Sequence, residues 1–484
     1  PRVDTAVPDF GRVDDRGAAD DVGMEDYDLV EVAEDGQGEE EDSSAGSARS
    51  KQDIGPLARK MWSCACLGNR ADWVWAKFSQ RVILTSSFLG HGDVALIMFA
   101  MARIKYRDPK VVDVLSPFML RYIEDFTTTH LVLLLNAHKK LEMDRMDNIH
   151  LLLQAICNRQ QEWTGRHVAL SANAVAHFYI YEPRFWKGVA ATLPTLVWTM
   201  NSLELTNLVS AMARVDRRDG RALVKIARMC RRCAARNLFN QATLATTMNA
   251  FAKLDFNHPK LSRVFLNATM NKVERALELG PSYRVSALRK NEEDVFDVQA
   301  LVRVLHTLVC LVGAPDDIVE KLLTLISWST NEVSDYQRRV LKTVGVVLVY
   351  ERPDLYARLQ RDVKAALYTF EKTPVQVSTY ESRWGRELRG ILEKMDVVVE
   401  KKHVVDDQVL DILLPTSHAV VMAVGPYGYY SGSTNRTAYS KLHQRLLEMR
   451  GYKCLVVPYF EWKELKTVED KMVYLWSLGR RAAA

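Results

Sequence analysis

Phe99-Ala100-Met101-Ala102-Arg103-Ile104 is the stretch whose recurrence decides the fold. Its cadence returns as Asn136-Ala137-His138-Lys139-Lys140-Leu141, Asn173-Ala174-Val175-Ala176-His177-Phe178, Ser210-Ala211-Met212-Ala213-Arg214-Val215 and Asn249-Ala250-Phe251-Ala252-Lys253-Leu254. The alanines at 100, 137, 174, 211 and 250 lie 37, 37, 37 and 39 residues apart. A small residue at one fixed point lets neighbouring helices approach closely, and such a period is the signature of a helical solenoid. Punctuation within each unit agrees. A first helix opens on a polar cap such as Thr164, Asn201 or Asn240 and runs roughly fifteen residues to the alanine signature. A second helix often starts with proline in its first position, as in Asp108-Pro109, Glu182-Pro183 and His258-Pro259, where no helical N–H bond is lost.

Outward from the repeats, the pattern weakens on both sides. Residues 1–50 hold 16 acidic against 4 basic side chains and too little apolar surface to offset ordering entropy, so a disordered acidic tail is expected. The helical array is expected over 51–395. It lapses at Gly280-Pro281 to Asp294, resumes with Ala314-Pro315 and Arg352-Pro353, breaks at Thr373-Pro374, and ends in a helix from Tyr380 to Met395. Val397-Val398-Val399-Glu400 reads as the first strand of a C-terminal domain at 396–484. The net charge of +5 hides an asymmetry, because the chain beyond the tail carries 61 basic against 44 acidic residues. A basic body suits a polyanionic partner, although charge bears on association and not on fold. No apolar run approaches the length of a membrane span. Seven scattered cysteines fit a reducing compartment. Cys230 and Cys233, and Cys64 and Cys66, lack the further ligands zinc needs and read as buried thiols on helices.

The last eighty residues carry a different pattern. Val409-Leu410-Asp411-Ile412-Leu413-Leu414-Pro415 and Ala419-Val420-Val421-Met422-Ala423-Val424 read as strands, followed by Gly425-Pro426 and the loop Tyr427-Gly428-Tyr429-Tyr430. A helix over Asn435–Arg450, a strand from Tyr452 towards Glu461-Trp462, and a closing helix through Val473, Leu475 and Leu478 complete the order. This β-β-α-β-α succession resembles the RAP domain, a small RNA-binding module with a restriction-endonuclease-like fold. The 37-residue units resemble the heptatricopeptide and octotricopeptide repeats of organellar RNA-binding proteins, which commonly precede a RAP domain. The expected fold is therefore mostly α: a helical-repeat solenoid followed by a small α/β RAP-like domain.

Three groups of residues are candidates for RNA contact. On a 3.6-residue period Arg221, Lys225, Arg228 and Arg232 share one stripe, opposite Leu223, Ile226 and Cys230, with Arg217 and Arg218 just before. Such a face suits phosphates, and it also suits plain solvation. Arg103, Lys140, His177, Arg214 and Lys253 hold one place in five units, as either an RNA-facing ladder or cations favoured at helix C-termini. Tyr427, Tyr429 and Tyr430 offer stacking faces beside Arg436, Lys441 and Arg445, or pack against the array. Trp462 is expected in the core.

A restriction-like nuclease holds its metal on acids from adjacent strands. Asp411 occupies the first such place, but Met422 and Val424 stand where many RAP sequences have Glu and Asp, and Gly428 where histidine is frequent. The expectation is a non-enzymatic, cofactor-free, metal-free RNA-binding protein of the mitochondrial matrix, or of a plastid. The resemblance allows two roles. One is a mitochondrial-ribosome component contacting rRNA and neighbouring ribosomal proteins, which the variable exposed residues of the repeats favour. The other is a transcript stability or processing factor. A protein-binding helical scaffold and an RNA endonuclease are the remaining alternatives.

Overall fold

The computed structural model describes residues 55–282, 296–372, 383–401, 404–405 and 408–483. The acidic tail, residues 283–294 of the lapse in the repeat and the break at Thr373-Pro374 lie outside the described residues. The described chain falls into two compact units, one ending at Arg214 and the other starting at Val215.

The first unit is a two-layer stack of nine helices among its described residues. They are α1 (Pro56–Cys66), α2 (Asp72–Thr85), α3 (His91–Ile104), α4 (Pro109–Arg121), α5 (Thr128–Lys140), α6 (Met146–Asn158), α7 (Gly165–His177), α8 (Pro183–Leu196) and α9 (Ser202–Arg214). Odd helices α1, α3, α5, α7 and α9 pack in sequence to form one layer, and α2, α4, α6 and α8 form the other. The odd helices lie between neighbours, so their burial is almost all-round: every residue from Leu131 to Lys139 of α5 is buried. The signature alanines Ala100, Ala137, Ala174 and Ala211 are all buried, as close stacking requires.

Local chemistry sets the helix ends. Thr127 and Thr164 accept hydrogen bonds from the third helical N–H at 3.2 and 3.3 Å, and Asn201 accepts from Glu204 N at 2.8 Å. Pro109 and Pro183 open α4 and α8. At the other end, Lys105, Glu142 and Tyr179 adopt left-handed conformations with φ of 60°, 51° and 52°. The next residue closes the turn onto the carbonyl five residues back: Tyr106 on Met101, Met143 on His138 and Ile180 on Val175, all at 2.9–3.0 Å. Asp216 and Asp255 repeat the left-handed φ at 51° and 49°, so positions 105, 142, 179, 216 and 255 keep the alanine spacing in the backbone itself.

The second unit continues with α10 (Gly220–Ala235), α11 (Gln241–Lys253), α12 (Pro259–Glu278), α13 (Val298–His306), α14 (Asp316–Ser327), α15 (Asp335–Glu351), α16 (Pro353–Arg358) and α17 (Arg361–Glu371). Again two layers form: α11, α13 and α15 pack in sequence, as do α10, α12, α14 and α17. Helix α13 runs on into a π-helical turn at Thr307–Val312. Pro353 opens its helix as expected, whereas Pro315 sits one place earlier, as the N-cap of α14.

After α18 (Arg383–Lys394) comes the α/β part. A four-stranded sheet has the order β1 (Glu400–Lys401), β4 (Ile412–Leu414), β5 (Ala419–Val424), β6 (Lys453–Pro458). Between them β2 (Val404–Val405) and β3 (Gln408–Val409) make a hairpin. β1 and β5 flank β4 antiparallel, while β6 runs parallel to β5, with Met422 opposite Val456. That parallel step needs a crossover, supplied by α19 (Ala438–Met449). The short α20 (Tyr459–Glu464) and α21 (Val468–Ala483) follow. One sheet face packs Ile412, Leu414, Val421 and Val457 with Leu388, Ile391, Trp462 and Leu475; the other packs Leu413, Val420, Met422 and Val424 with Tyr429 and Leu447. Trp462 is core, as expected. The first strand starts at Glu400, later than the Val397–Val399 run suggests. The segment read as a strand up to Trp462 turns helical at Tyr459, directly after Pro458 ends β6.

Candidate nucleic-acid interface

Asp219 starts α10 by accepting from the backbone N–H groups of Arg221 and Ala222 at 3.0 and 3.1 Å. Seven residues (Ala222, Leu223, Ile226, Ala227, Cys230, Cys233 and Ala234) form its buried face. With these facing inward, helical geometry leaves Arg221, Arg228 and Arg232 exposed and Lys225 half-buried on the outside. Arg231 and Arg236 extend the basic face, half-buried and exposed, and sequence periodicity around the stripe alone passes over them. Among the described residues the side chains of Arg221, Lys225 and Arg228 make no ion pair or hydrogen bond. Cys230 and Cys233 lie inward, where burial pushes both thiols above their ordinary pKa.

Beside this face lies an open groove of about 600 Å³ between the end of α10 and α12. Ala234, Ala235 and Asn237 line one side, and Val264, Asn267, Ala268, Asn271, Lys272 and Arg275 the other. The α12 residues recur at helical spacing on one face, a signal present in the sequence but hidden without knowing which helix stands opposite.

The other candidates are placed differently. Arg218 donates to the carbonyls of Leu254 and Asp255 at 2.9 and 3.3 Å and lies over the Tyr430 ring at 5.9 Å. Arg217 is half-buried. Tyr429 and Tyr430 are 4% and 2% exposed, so neither ring is an open stacking face. The Tyr430 hydroxyl donates to the Lys253 carbonyl at 2.8 Å and accepts from Ala438 N at 3.1 Å. Burial holds the Tyr430 phenol well above its ordinary pKa, so it stays a donor. Lys441 pairs with Asp255 at 2.6 Å. Arg445 pairs with Glu351 at 3.0 Å and donates to the Cys310 carbonyl at 2.7 Å, in the last turn of the π-helical segment. Tyr439 stacks on His306 at 6.0 Å, with the Lys253 ammonium 5.4 Å above its ring. Arg436 lies just ahead of α19 and is spent on that helix, donating to Ser440 at 3.0 Å and to Gln444. Only Tyr427 of the three tyrosines is exposed, at 45%. The aromatic and basic residues read as an RNA face are thus mostly a seam joining the α/β part to α11, α13 and α15. The same residue types suit both purposes, because a buried seam also uses rings and guanidinium groups.

In the first unit, Arg103 donates to the Ala65 carbonyl at the end of α1 at 3.2 Å and lies over Trp62 at 5.6 Å. Lys140, His177 and Arg214 occupy the equivalent half-buried place in the last turn of α5, α7 and α9. Cations there complement the negative end of a helix.

Asp411 lies directly before β4 and, among the described residues, joins no cluster of acids that could hold a metal. Its carboxylate accepts from Ala423 N at 2.9 Å, satisfying a donor of β5 beyond the end of β4. Burial raises its pKa to about 6. Met422 and Val424, on either side of Ala423, are buried, and a side chain at Gly428 would strike Val424. Valine at 424 and glycine at 428 therefore go together sterically. Among the described residues no three His, Cys, Asp or Glu side chains converge as a metal site. No described helix is long and apolar enough to cross a membrane.

No curated protein matches the chain. Residues 421–478 match the RAP domain, the part built from β5, α19, β6 and α20 with most of α21. Residues 51–288 match the family described as RNA-editing substrate-binding complex 6 protein, so helices α1 to α12, with α10 and the groove beside it, are similar to a protein of an RNA-editing substrate-binding complex.

Proposed function

We propose that this protein is a non-catalytic RNA-binding factor acting on transcripts during RNA processing, with α10 as its principal phosphate-binding face. The observation that carries this is the outward stripe of Arg221, Lys225 and Arg228, cations that no acid of the described chain neutralises. Each phosphate such a face neutralises adds affinity and salt dependence. The similarity to a protein of an RNA-editing substrate-binding complex supports transcripts as the RNA and a multiprotein assembly as the setting. It favours a processing role over the ribosomal one that the sequence alone suggested, and nothing in the fold or the comparisons supports ribosomal neighbours. Location in the mitochondrion fits this reading. Absence of catalysis is part of the proposal: the half-buried Asp411 offers one carboxylate where a metal-dependent nuclease needs several oxygen ligands.

Ultraviolet crosslinking of the full chain to RNA, followed by peptide mapping, tests the assignment. Crosslinks concentrated over residues 220–236 are expected. Crosslinks confined to residues 427–445 would overturn it, and RNA cleavage dependent on Mg²⁺ or Mn²⁺ that is lost in Asp411→Ala would overturn the non-catalytic part. Sequencing the RNA recovered from cells distinguishes messenger transcripts, the expected result, from ribosomal RNA.

A further inference from the structure

The groove between α10 and α12 has the chemistry of a base pocket. Its floor is made of small side chains: Ala234 and Ala235 on one side, Ala268 on the other. These leave a space that longer side chains would fill. Its rim carries three carboxamides, Asn237, Asn267 and Asn271, with Arg275 and the buried Lys272. Asn237 holds a left-handed turn at φ 55° just past α10, a place where asparagine is favoured for backbone reasons alone. No such reason applies to Asn267 and Asn271, which sit one helical turn apart in mid-helix, exposed and without a side-chain partner among the described residues. A carboxamide presents a donor and an acceptor side by side, the pattern needed to read a base edge. No acid lines the groove, and Arg228 and Arg232 lie on the helix that forms its wall. That charge environment fits a polyanion.

We infer that this groove receives an unpaired nucleobase of single-stranded RNA, read by Asn267 and Asn271, while the α10 stripe holds the flanking phosphates. The inference rests on the RNA-binding reading above and adds base selectivity to it. Single strands are the form in which base edges are free for such contacts.

Anisotropy titrations of the full chain with fluorescein-labelled oligo(A), oligo(C) and oligo(U) at one salt concentration test it. Wild type is expected to favour one of the three by roughly tenfold, the discrimination of one good paired contact. Asn267→Leu with Asn271→Leu should bring the three to near parity. Ala235→Trp, which fills the groove without removing a polar group, should do the same. Both changes are at exposed positions, and thermal melts matching wild type would show that the fold is kept. Arg228→Gln with Arg232→Gln should weaken all three oligomers evenly and preserve their order. Binding with no base preference in wild type, or a preference that survives the asparagine and alanine variants, would overturn the base pocket alone. Failure to bind any oligomer would overturn the RNA-binding reading as well.

Discussion

At the scale of single residues, Asp411 shows how an acid can serve the fold. Its carboxylate accepts from the Ala423 N–H at 2.9 Å, and burial raises its pKa to about 6. Because the folded pKa lies above the ordinary value near 4, the native state binds the extra proton. The penalty for ionised Asp411 is absent below about pH 4, grows between about pH 4 and 6, and is fully present above. Asp411→Asn keeps an acceptor for Ala423 and removes the charge, so urea melts should show a gain of up to about 3 kcal/mol at neutral pH. The gain should vanish near pH 4; an equal gain at both values would contradict the assignment. Backbone strain gives a second residue-level expectation. Glu142 is exposed and sits at φ 51°, a conformation that disfavours a side chain by about 1–2 kcal/mol. Glycine there should raise the melting temperature, partly offset by the greater freedom of the unfolded chain. A lowered melting temperature would mean the left-handed cap matters less than the contacts of Glu142.

At the scale of elements, the alanine signature belongs to helices buried on nearly every side. Ala174 lies fully buried in α7, which packs against both α5 and α9. Ala174→Leu should destabilise by about 1–3 kcal/mol through overpacking, measured by chemical denaturation, whereas an effect near zero would show slack in the stack. The seam offers a complementary expectation. Arg445 caps the Cys310 carbonyl and pairs with Glu351 across elements distant in sequence. Arg445→Ala should loosen α19 from α13 and α15, seen as faster amide exchange in α19 with α10 unchanged. Equal exchange in both proteins would count against a load on that contact. These two cases mark how far the sequence could be read. Alanine spacing, polar caps and first-turn prolines act within a turn or two of chain, so the array, its period and its helix starts are legible. Partner choice is not local: nothing around Tyr430 or Lys441 says that Lys253 and Asp255 lie opposite. The groove escaped for the same reason, since Asn267 and Asn271 gain meaning only once Ala234 and Ala235 stand across from them.

At the scale of the whole molecule, the excess of 61 basic over 44 acidic side chains outside residues 1–50 spreads over many sites, and several of these cations serve the fold. Arg103, Arg218, Lys441 and Arg445 hold carbonyls or carboxylates of their own unit. Among the described candidates, Arg221, Lys225 and Arg228 of α10 face outward together without an ion pair. The central claim is that this helix carries the phosphate contacts, and the salt dependence of RNA affinity tests it most directly. For a single strand, log affinity falls against log salt by roughly 0.7 per phosphate neutralised. Changing Arg221, Lys225, Arg228 and Arg232 together to glutamine should weaken binding and reduce that slope by about 2–3. An unchanged affinity and slope in the fully folded variant would contradict the account.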